Sequence, residues 1–182
     1  MLILSLILLT TSDVEVTPRK TVEFFGRIEG AAAFPLSEPQ TSRFHPGFNG
    51  VLNAGLDFGY VDLQLSTGML ALAGKATQSD SISGGVGGGV RFKLPYHLYK
   101  YAWFLAADAF YWRTATLNRV AYSVAVGVLT PLKVDPRVRI GPVVRFMQIT
   151  NGDSPGYDDR NAYTLMAGIA LEFGSEVPRR AP

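Results

Sequence analysis

The segment from Asn161 to Phe173 reads N-A-Y-T-L-M-A-G-I-A-L-E-F, and its residues alternate between two kinds of side chain. The odd-numbered positions from Tyr163 onward are apolar or aromatic, whereas the even-numbered positions are mostly small or polar. Successive side chains of a β-strand point to opposite faces, so this alternation predicts a strand with one apolar face. The other face carries too little charge to meet water and is typical of a crowded barrel interior. We interpret the segment as the closing strand of a membrane barrel.

Seven further segments with the same alternation precede the closing strand. We predict strands at about residues 21–34, 48–58, 61–71, 84–93, 101–112, 120–128 and 138–146. Strands of about 10 residues or more are long enough to cross a bilayer at a tilt, whereas strands of soluble proteins average about 5 to 6. An even number of antiparallel strands can close into a barrel without free edges. The sequence therefore predicts an all-β fold, an eight-stranded antiparallel up-and-down transmembrane β-barrel.

The predicted connections differ in length between the two ends of the barrel. Three long polar connections, at residues 35–47, 72–83 and 149–160, fall on one end, together with a short loop at 113–119. The tight turn at Gly59 falls on the opposite end. Long loops on the outside and short turns on the inside are typical of outer-membrane barrels. Pro142 is an irregularity within a predicted strand, because proline cannot donate to a strand ladder.

Charged residues are confined to one face of the predicted strands. The polar faces carry six acids and five bases: Glu23, Arg27, Glu29, Asp57, Asp62, Arg91, Lys93, Asp108, Arg139, Arg145 and Glu172. A soluble lipocalin-like barrel would show the reverse arrangement, with charge outside and an apolar interior. We interpret these residues as an ion-pair network that fills the lumen, since the interior of an eight-stranded barrel is just wide enough for side chains. The alternative is a narrow channel.

Composition agrees with a barrel in an apolar solvent and excludes several other classes of protein. The net charge of +2 argues against a nucleic-acid partner, and the 18% of charged residues lies below the roughly 25% of soluble domains. The absence of cysteine excludes disulfides and thiolate metal sites. Aromatic residues near the strand ends fit the girdles found at membrane interfaces. They are Phe34, Phe48, Phe58, Tyr60, Tyr101, Tyr111, Phe146, Tyr163 and Phe173.

The chain divides into a leader, a barrel and a tail. Residues 1–20 begin with an apolar run whose length suits a secretory signal, although no Lys or Arg precedes it. Residues 21–173 contain all the predicted strands and form the barrel. Residues 174–182 are a short polar tail, which we place in the periplasm because the even strand count puts both barrel ends on one side.

The end of the chain resembles the OmpA-like barrels of Gram-negative outer membranes. The likeness lies in G-P-V-V-R-F at 141–146, D-D-R at 158–160 and A-G-I-A-L-E-F at 167–173. It implies a structural anchor or surface-interaction protein of the bacterial outer membrane. Its expected partners are outer-membrane lipid and lipopolysaccharide, the barrel-insertion machinery, and a surface molecule bound through loops 35–47, 72–83 and 149–160. Gly168, Leu171 and Phe173 would be the assembly signal read by that machinery.

Candidate catalytic and metal-binding residues are weak, and we expect no enzyme, cofactor or metal site. The stretch R-F-M-Q-I-T-N at 145–151 resembles the signature of outer-membrane lipid A deacylases, but Gln148 and Thr150 replace the catalytic His and Ser. Ser42 and His45 lie close together without an evident acidic partner. The acidic loop at 151–160 lacks the ligand spacing of a calcium-binding EF-hand. A deacylase-like enzyme remains an alternative to the structural role.

Overall fold

A computed structural model describes residues 22–38, 40–76, 78–94, 101–115, 117–150 and 161–174. The chain forms eight strands and one short helix within these ranges. In chain order they are β1 (Glu23–Pro35), α1 (Gln40–Arg43), β2 (Gly47–Asp57), β3 (Val61–Leu72), β4 (Ser81–Lys93), β5 (Ala102–Thr114), β6 (Leu117–Pro131), β7 (Arg139–Ile149) and β8 (Ala162–Phe173). No helix in this described part of the chain is long and apolar enough to cross a membrane.

The strands form one closed barrel in which each strand pairs with the next. All pairings are antiparallel, and β8 returns to pair with β1, with Gly26 opposite Phe173 and Pro35 opposite Thr164. This arrangement confirms the predicted eight-stranded up-and-down barrel. We call the end that carries the β1–β2, β3–β4, β5–β6 and β7–β8 connections the loop end, and the opposite end the turn end.

Buried and exposed residues alternate along the strands, as the period of two predicts. The clearest case is β5, in which even-numbered residues from Ala102 to Trp112 are buried and the intervening ones are exposed. The lumen of the barrel holds the buried residues, and its outer surface carries the exposed ones. A shift of one residue in strand pairing would exchange the two faces, so this alternation fixes the register.

Several strands are longer than the sequence predicts, which shortens two predicted loops, and a third predicted loop contains a helix. The predicted loop at 113–119 is a tight turn, because only residues 115 and 116 separate β5 from β6. Ala115 adopts a positive φ of 53° there. The predicted loop at 72–83 loses its last residues to β4, which begins at Ser81. The loop at 35–47 contains α1 and joins the next connection through a Phe44–Gly74 bridge.

Pro142 lies within β7 and interrupts its pairing with β6 on one side. The ladder between the two strands runs from Ala121 to Gly127 and resumes at Thr130, and it omits the positions opposite Pro142 and Gly141. Pairing with β8 continues through Pro142, which lies opposite Ile169. The missing amide hydrogen of proline explains the interruption, and the irregularity noted in the sequence is thus tolerated locally.

Candidate functional site

The described part of the lumen contains two polar networks and two apolar clusters of buried side chains. The middle network consists of Arg27, Glu29, Asn53, Gln64, Ser66, Asp108, Ser123 and Arg145. The lower network, toward the turn end, consists of Asp57, Asp62, Arg91, Lys93, Arg139 and Glu172. The upper cluster, toward the loop end, consists of Ala31, Ala33, Leu70, Leu72, Phe110, Trp112, Ala121, Met147, Ile149, Ala162 and Met166. The smaller apolar cluster lies along β5 to β8 and consists of Ala102, Phe104, Ala106, Ala125, Leu129, Val143 and Ala170.

Arg145 holds the middle network together through contacts with two carboxylates. Its Nη2 lies 2.9 Å from Oε2 and 3.1 Å from Oε1 of Glu29, while its Nη1 donates to Oδ2 of Asp108 at 2.9 Å. Arg27 approaches Glu29 from the same strand, with Nε 2.9 Å from Oε1. These contacts join β1, β5 and β7 across the lumen. Charge-assisted bonds of this kind are shorter and stronger than neutral ones.

Neutral side chains satisfy the remaining acceptors of the middle network. Gln64 donates to Oδ1 of Asp108 at 2.6 Å, and the Ser66 hydroxyl lies 3.1 Å from the same oxygen. Asn53 donates to Oε1 of Glu29 at 3.2 Å, and Ser123 lies 3.5 Å from Oδ2 of Asp108. Both buried carboxylates therefore keep several hydrogen-bond donors, which offsets the cost of removing them from water.

The lower network is centred on Arg91. Its Nε donates to Asp62 and its Nη1 to Glu172, which brings β3, β4 and β8 together. Lys93 lies 2.5 Å from Oδ2 of Asp57 and 2.9 Å from Oδ1 of Asp62, and Arg139 lies 3.4 Å from Oε1 of Glu172. Alternating positive and negative groups thus run across the lumen.

Two inward-facing phenylalanines stack on these arginines. The Arg91 guanidinium lies 4.2 Å from the Phe25 ring centroid, and the Arg27 guanidinium lies 4.7 Å from that of Phe104. Cation–π contacts of this geometry stabilise a guanidinium that has lost its water. The aromatic rings also occupy volume that would otherwise remain open between the charged layers.

Each network balances its own charges. The middle network pairs Arg27 and Arg145 with Glu29 and Asp108. The lower network matches its three bases with three acids: Arg91, Lys93 and Arg139 with Asp57, Asp62 and Glu172. A buried charge without a partner costs several kcal/mol, so local neutrality is the condition for burying so many ionic groups.

The upper cluster closes the lumen toward the loop end with apolar side chains. Trp112 is 1% exposed, Leu70 2% and Met147 2%, and the Phe110 ring meets the Trp112 ring edge to face at 5.8 Å. Phe44, from the segment after α1, packs against the cluster from above. A continuous water path through the lumen would expose these side chains, so the described conformation is closed at this level.

The structure brings ten of the eleven charged residues selected from the sequence into the two networks. Glu23 lies half-buried at the start of β1, opposite Asp57 on β2. Sequence reasoning did not assign the neutral donors or the stacked rings to the site. The alternation along each strand could have identified them, because they lie on the same inward face as the charged residues. They are Phe25, Asn53, Gln64, Ser66, Phe104 and Ser123.

The predicted assembly residues all lie on β8. Gly168 faces inward, where an added Cβ would clash with the backbone of Gly30 and Ala31 on β1, so the position requires glycine for close strand packing. Leu171 is partly exposed, and Phe173 is exposed on the outer surface. Their role as a signal for the insertion machinery stays a prediction.

The weaker catalytic candidates lie outside the two lumen networks. Gln148 lies at an outward-facing position of β7. The Thr150 hydroxyl donates to the carbonyl oxygen of Val120 at 2.8 Å. Ser42 belongs to α1, and the exposed His45 donates its backbone N–H to the Ala73 carbonyl. Residues 151–160, including the candidate cation ligands, lie outside the described residues.

The outer surface is a belt of exposed apolar side chains. Along β5 and the residue before it, the exposed residues from Tyr101 to Tyr111 include Trp103 and Leu105 and carry no charge. Ten residues of strand rise about 34 Å, and a tilt of about 40° reduces this to about 26 Å along the barrel axis. That height matches the apolar band of about 25 Å, flanked by aromatic girdles, in outer-membrane barrels.

An apolar exterior around a charged and hydrogen-bonded lumen defines the class of the protein as an eight-stranded transmembrane β-barrel. The lipocalin-like alternative fails because charge lies inside and apolar side chains lie outside. Among solved structures the chain is similar to Neisserial surface protein A, NspA, with a TM-score of 0.65 and 16% identity over 85% of this chain and 100% of that one.

Two other solved structures are more distantly similar. AlkL, solved by solid-state NMR in DMPC bilayers, has a TM-score of 0.49 at 7% identity over 88% of this chain and 93% of its own. Ail of Yersinia pestis has a TM-score of 0.44 at 12% identity, over 84% of this chain and 99% of its own. No family model and no curated protein matches the sequence. The similarity to NspA supports the fold.

Proposed function

We propose that the protein is a barrel of the bacterial outer membrane that acts as a structural anchor or surface-interaction protein without a catalytic role. The observation that carries the proposal is the inverted polarity of the barrel, with exposed Phe24 and Leu65 outside and buried Arg91 and Glu172 inside. Exposed apolar side chains on every face of a closed barrel are stable in lipid and would aggregate in water.

A structural lumen fits this role better than a conducting one. Both networks are neutral, Arg145 and Arg91 each hold two carboxylates, and the upper cluster covers them. Permeating ions need a wetted path lined by groups that can exchange partners. Recordings in planar bilayers without conductance steps support the anchor, whereas steady unitary currents would make the protein a channel.

The loop end is the surface on which a partner would bind. The described connections there are held by local contacts: Lys75 donates to the Thr41 carbonyl at 2.6 Å, and the Tyr163 backbone N–H donates to the Ser37 hydroxyl at 3.0 Å. Loops held on a rigid barrel can present a defined surface. We propose loops 35–47, 72–83 and 149–160 as the partner-binding surface, with outer-membrane lipid around the barrel and the insertion machinery as the assembly partner.

The test is refolding in detergent micelles followed by gel electrophoresis of unheated and boiled samples, together with circular dichroism. A mobility shift on heating and a β spectrum that depends on detergent are expected, because a closed barrel keeps its compact shape in mild detergent. A folded, water-soluble monomer without detergent would overturn the proposal.

A lipid A hydrolase is the competing function within the same membrane. The substitution of Gln148 for the catalytic His removes the general base that such chemistry requires. Mass spectrometry of lipid A from cells that express the protein is expected to show an unchanged number of acyl chains. A reduced number would establish an enzyme.

A further inference from the structure

A trough on the outer surface lies at the upper boundary of the apolar belt, between β3, β4 and β5. It has a volume of about 370 Å³ and is lined by Met69, Ile82, Ser83, Gly84, Arg113 and Ala115. Gly84 forms its floor, since Met69 and Arg113 are its partners on the two neighbouring strands. The trough therefore has an apolar side and a cationic side.

The apolar side is formed by long side chains that stand out from the barrel. Ile82 is 69% exposed and Met69 is 45% exposed. Gly84 leaves a gap between Met69 and Arg113, so a slender hydrocarbon chain can lie against the strand backbone. Methionine adapts its shape to irregular apolar surfaces, which suits contact with a flexible chain.

The cationic side is Arg113, whose guanidinium is exposed and oriented. Its Nε lies 3.2 Å from the carbonyl oxygen of Ala115, in the tight turn between β5 and β6. Among the described residues, no salt bridge and no further hydrogen bond engages its Nη atoms. The planar fork of a guanidinium matches the oxygens of a phosphate group.

The height of Arg113 places it where lipid headgroups lie. Tyr111 is exposed two residues below on the same strand, with Val86 beside it on β4. Two residues advance about 7 Å along a strand, which carries Arg113 beyond the aromatic girdle into the polar headgroup layer. The trough thus joins the hydrocarbon layer below to the headgroup layer above.

We propose that this trough binds an anionic phospholipid, with the headgroup phosphate on Arg113 and an acyl chain on Met69 and Ile82. The site rests on the membrane location proposed above. One interfacial arginine strengthens the binding of an anionic lipid about fivefold. Gly84 is unsuitable as a test position, because an added Cβ would lie 2.9 Å from the Gly68 carbonyl oxygen.

The experiment titrates the refolded, delipidated full chain in neutral detergent with phosphatidylglycerol or phosphatidylcholine of identical acyl chains, and measures bound lipid by native mass spectrometry. A preference of about fivefold for phosphatidylglycerol is expected. Arg113→Gln should abolish the preference, and Arg113→Lys should retain most of it. Arg137→Gln, at an exposed arginine of the turn end, is the matched control and should leave the preference unchanged.

Further measurements distinguish a lipid-borne phosphate from free phosphate, and the lipid site from the membrane proposal. Ile82→Asn should weaken the binding of both lipids and leave the preference for phosphatidylglycerol unchanged. Inorganic phosphate alone should displace little of the bound phosphatidylglycerol. Equal binding of the two lipids, a preference that survives Arg113→Gln, or an equal loss in Arg137→Gln overturns the lipid site. If the protein shows no heat-dependent mobility shift, the membrane proposal itself is wrong. If it shows the shift but no preference for phosphatidylglycerol, only the proposal of the lipid site is wrong.

Discussion

The upper cluster and the lower network fill the same narrow lumen with opposite chemistry. Near the loop end, Trp112 and Leu70 pack among other apolar side chains and exclude water. Near the turn end, Arg91 is equally buried but lies between the carboxylates of Asp62 and Glu172. Both layers leave their side chains almost without solvent contact, so burial alone does not distinguish them.

The difference lies in how strictly each layer specifies its neighbours. Apolar packing is non-directional, and another set of side chains of similar volume can fill the same space. A buried arginine requires particular carboxylates from particular strands, so a shifted register leaves it without partners. We infer that the upper cluster mainly closes the lumen to water, whereas the lower network mainly specifies a unique register of the strands.

The largest expected effect follows from breaking the lower network at Arg91. Arg91→Met leaves Asp62 and Glu172 without their shared partner, and we expect the free energy of unfolding to fall by about 3 to 5 kcal/mol. Denaturant titration in lipid vesicles measures it. Arg91→Lys, which keeps the charge, should lose less; an equal loss in both variants would show that packing rather than charge matters at this position.

A charge on the outer surface tests whether the inner and outer faces are assigned correctly. Val124 lies opposite Ala107, midway between Tyr101 and Tyr111 in height, so Val124→Arg places a cation near the bilayer midplane. We expect a loss of about 2 to 4 kcal/mol in the same titration. Val134→Arg, in a connection of the turn end where Val134 is 98% exposed, is the control and should be nearly neutral.

Truncation in the upper cluster tests whether apolar packing tolerates change. Leu70→Ala should cost about 2 kcal/mol, at the low end for buried leucines, because the flexible Met147 and Met166 can move into the space. Leu65→Ala, on the outward face of β3, is the matched control and should cost less. A loss at Leu70 as large as that at Arg91 would contradict the distinction between the two layers.

The smallest effect is expected from a neutral donor of the middle network. Ser123→Ala removes a hydroxyl that accepts from Nη1 of Arg145 at 2.5 Å, while Arg145 keeps Glu29 and Asp108. The loss should be about 1 kcal/mol. Ser79→Ala, at an exposed position of the loop end, should show no change, and a similar loss there would mean that the contact is not specific.

The barrel could be predicted from the sequence because the alternation of side chains along a strand depends only on neighbouring residues. Alternation identified the strands, and the even strand count with charge on one face identified a closed membrane barrel. Strand ends were less accurate: Arg113 and Arg119 read as loop residues, yet both belong to strands joined by a two-residue turn at 115 and 116. Nothing in the local pattern shows that Ala115 adopts a positive φ.

The partners within the lumen could not be read from the sequence. Glu29 and Arg145 lie 116 residues apart, and their pairing depends on the stagger of all eight strands. The upper cluster was also not predicted. The alternation identifies which residues face inward, but an inner face with many small residues gives the same pattern whether the lumen around it is polar or apolar. Trp112 and Met147 lie at inward positions and were the available signal.

The pairing of β8 with β1 has a consequence for the order of assembly. Arg91 on β4 meets Glu172 on β8 across 81 residues of chain, and Arg145 on β7 meets Glu29 on β1. Neither contact exists while the sheet is an open, growing ribbon, so the first strand must wait with an unsatisfied edge for the last. Closure then completes backbone pairing and ion pairing in one event. Barrel closure is therefore a cooperative step, and we expect it to limit the folding rate.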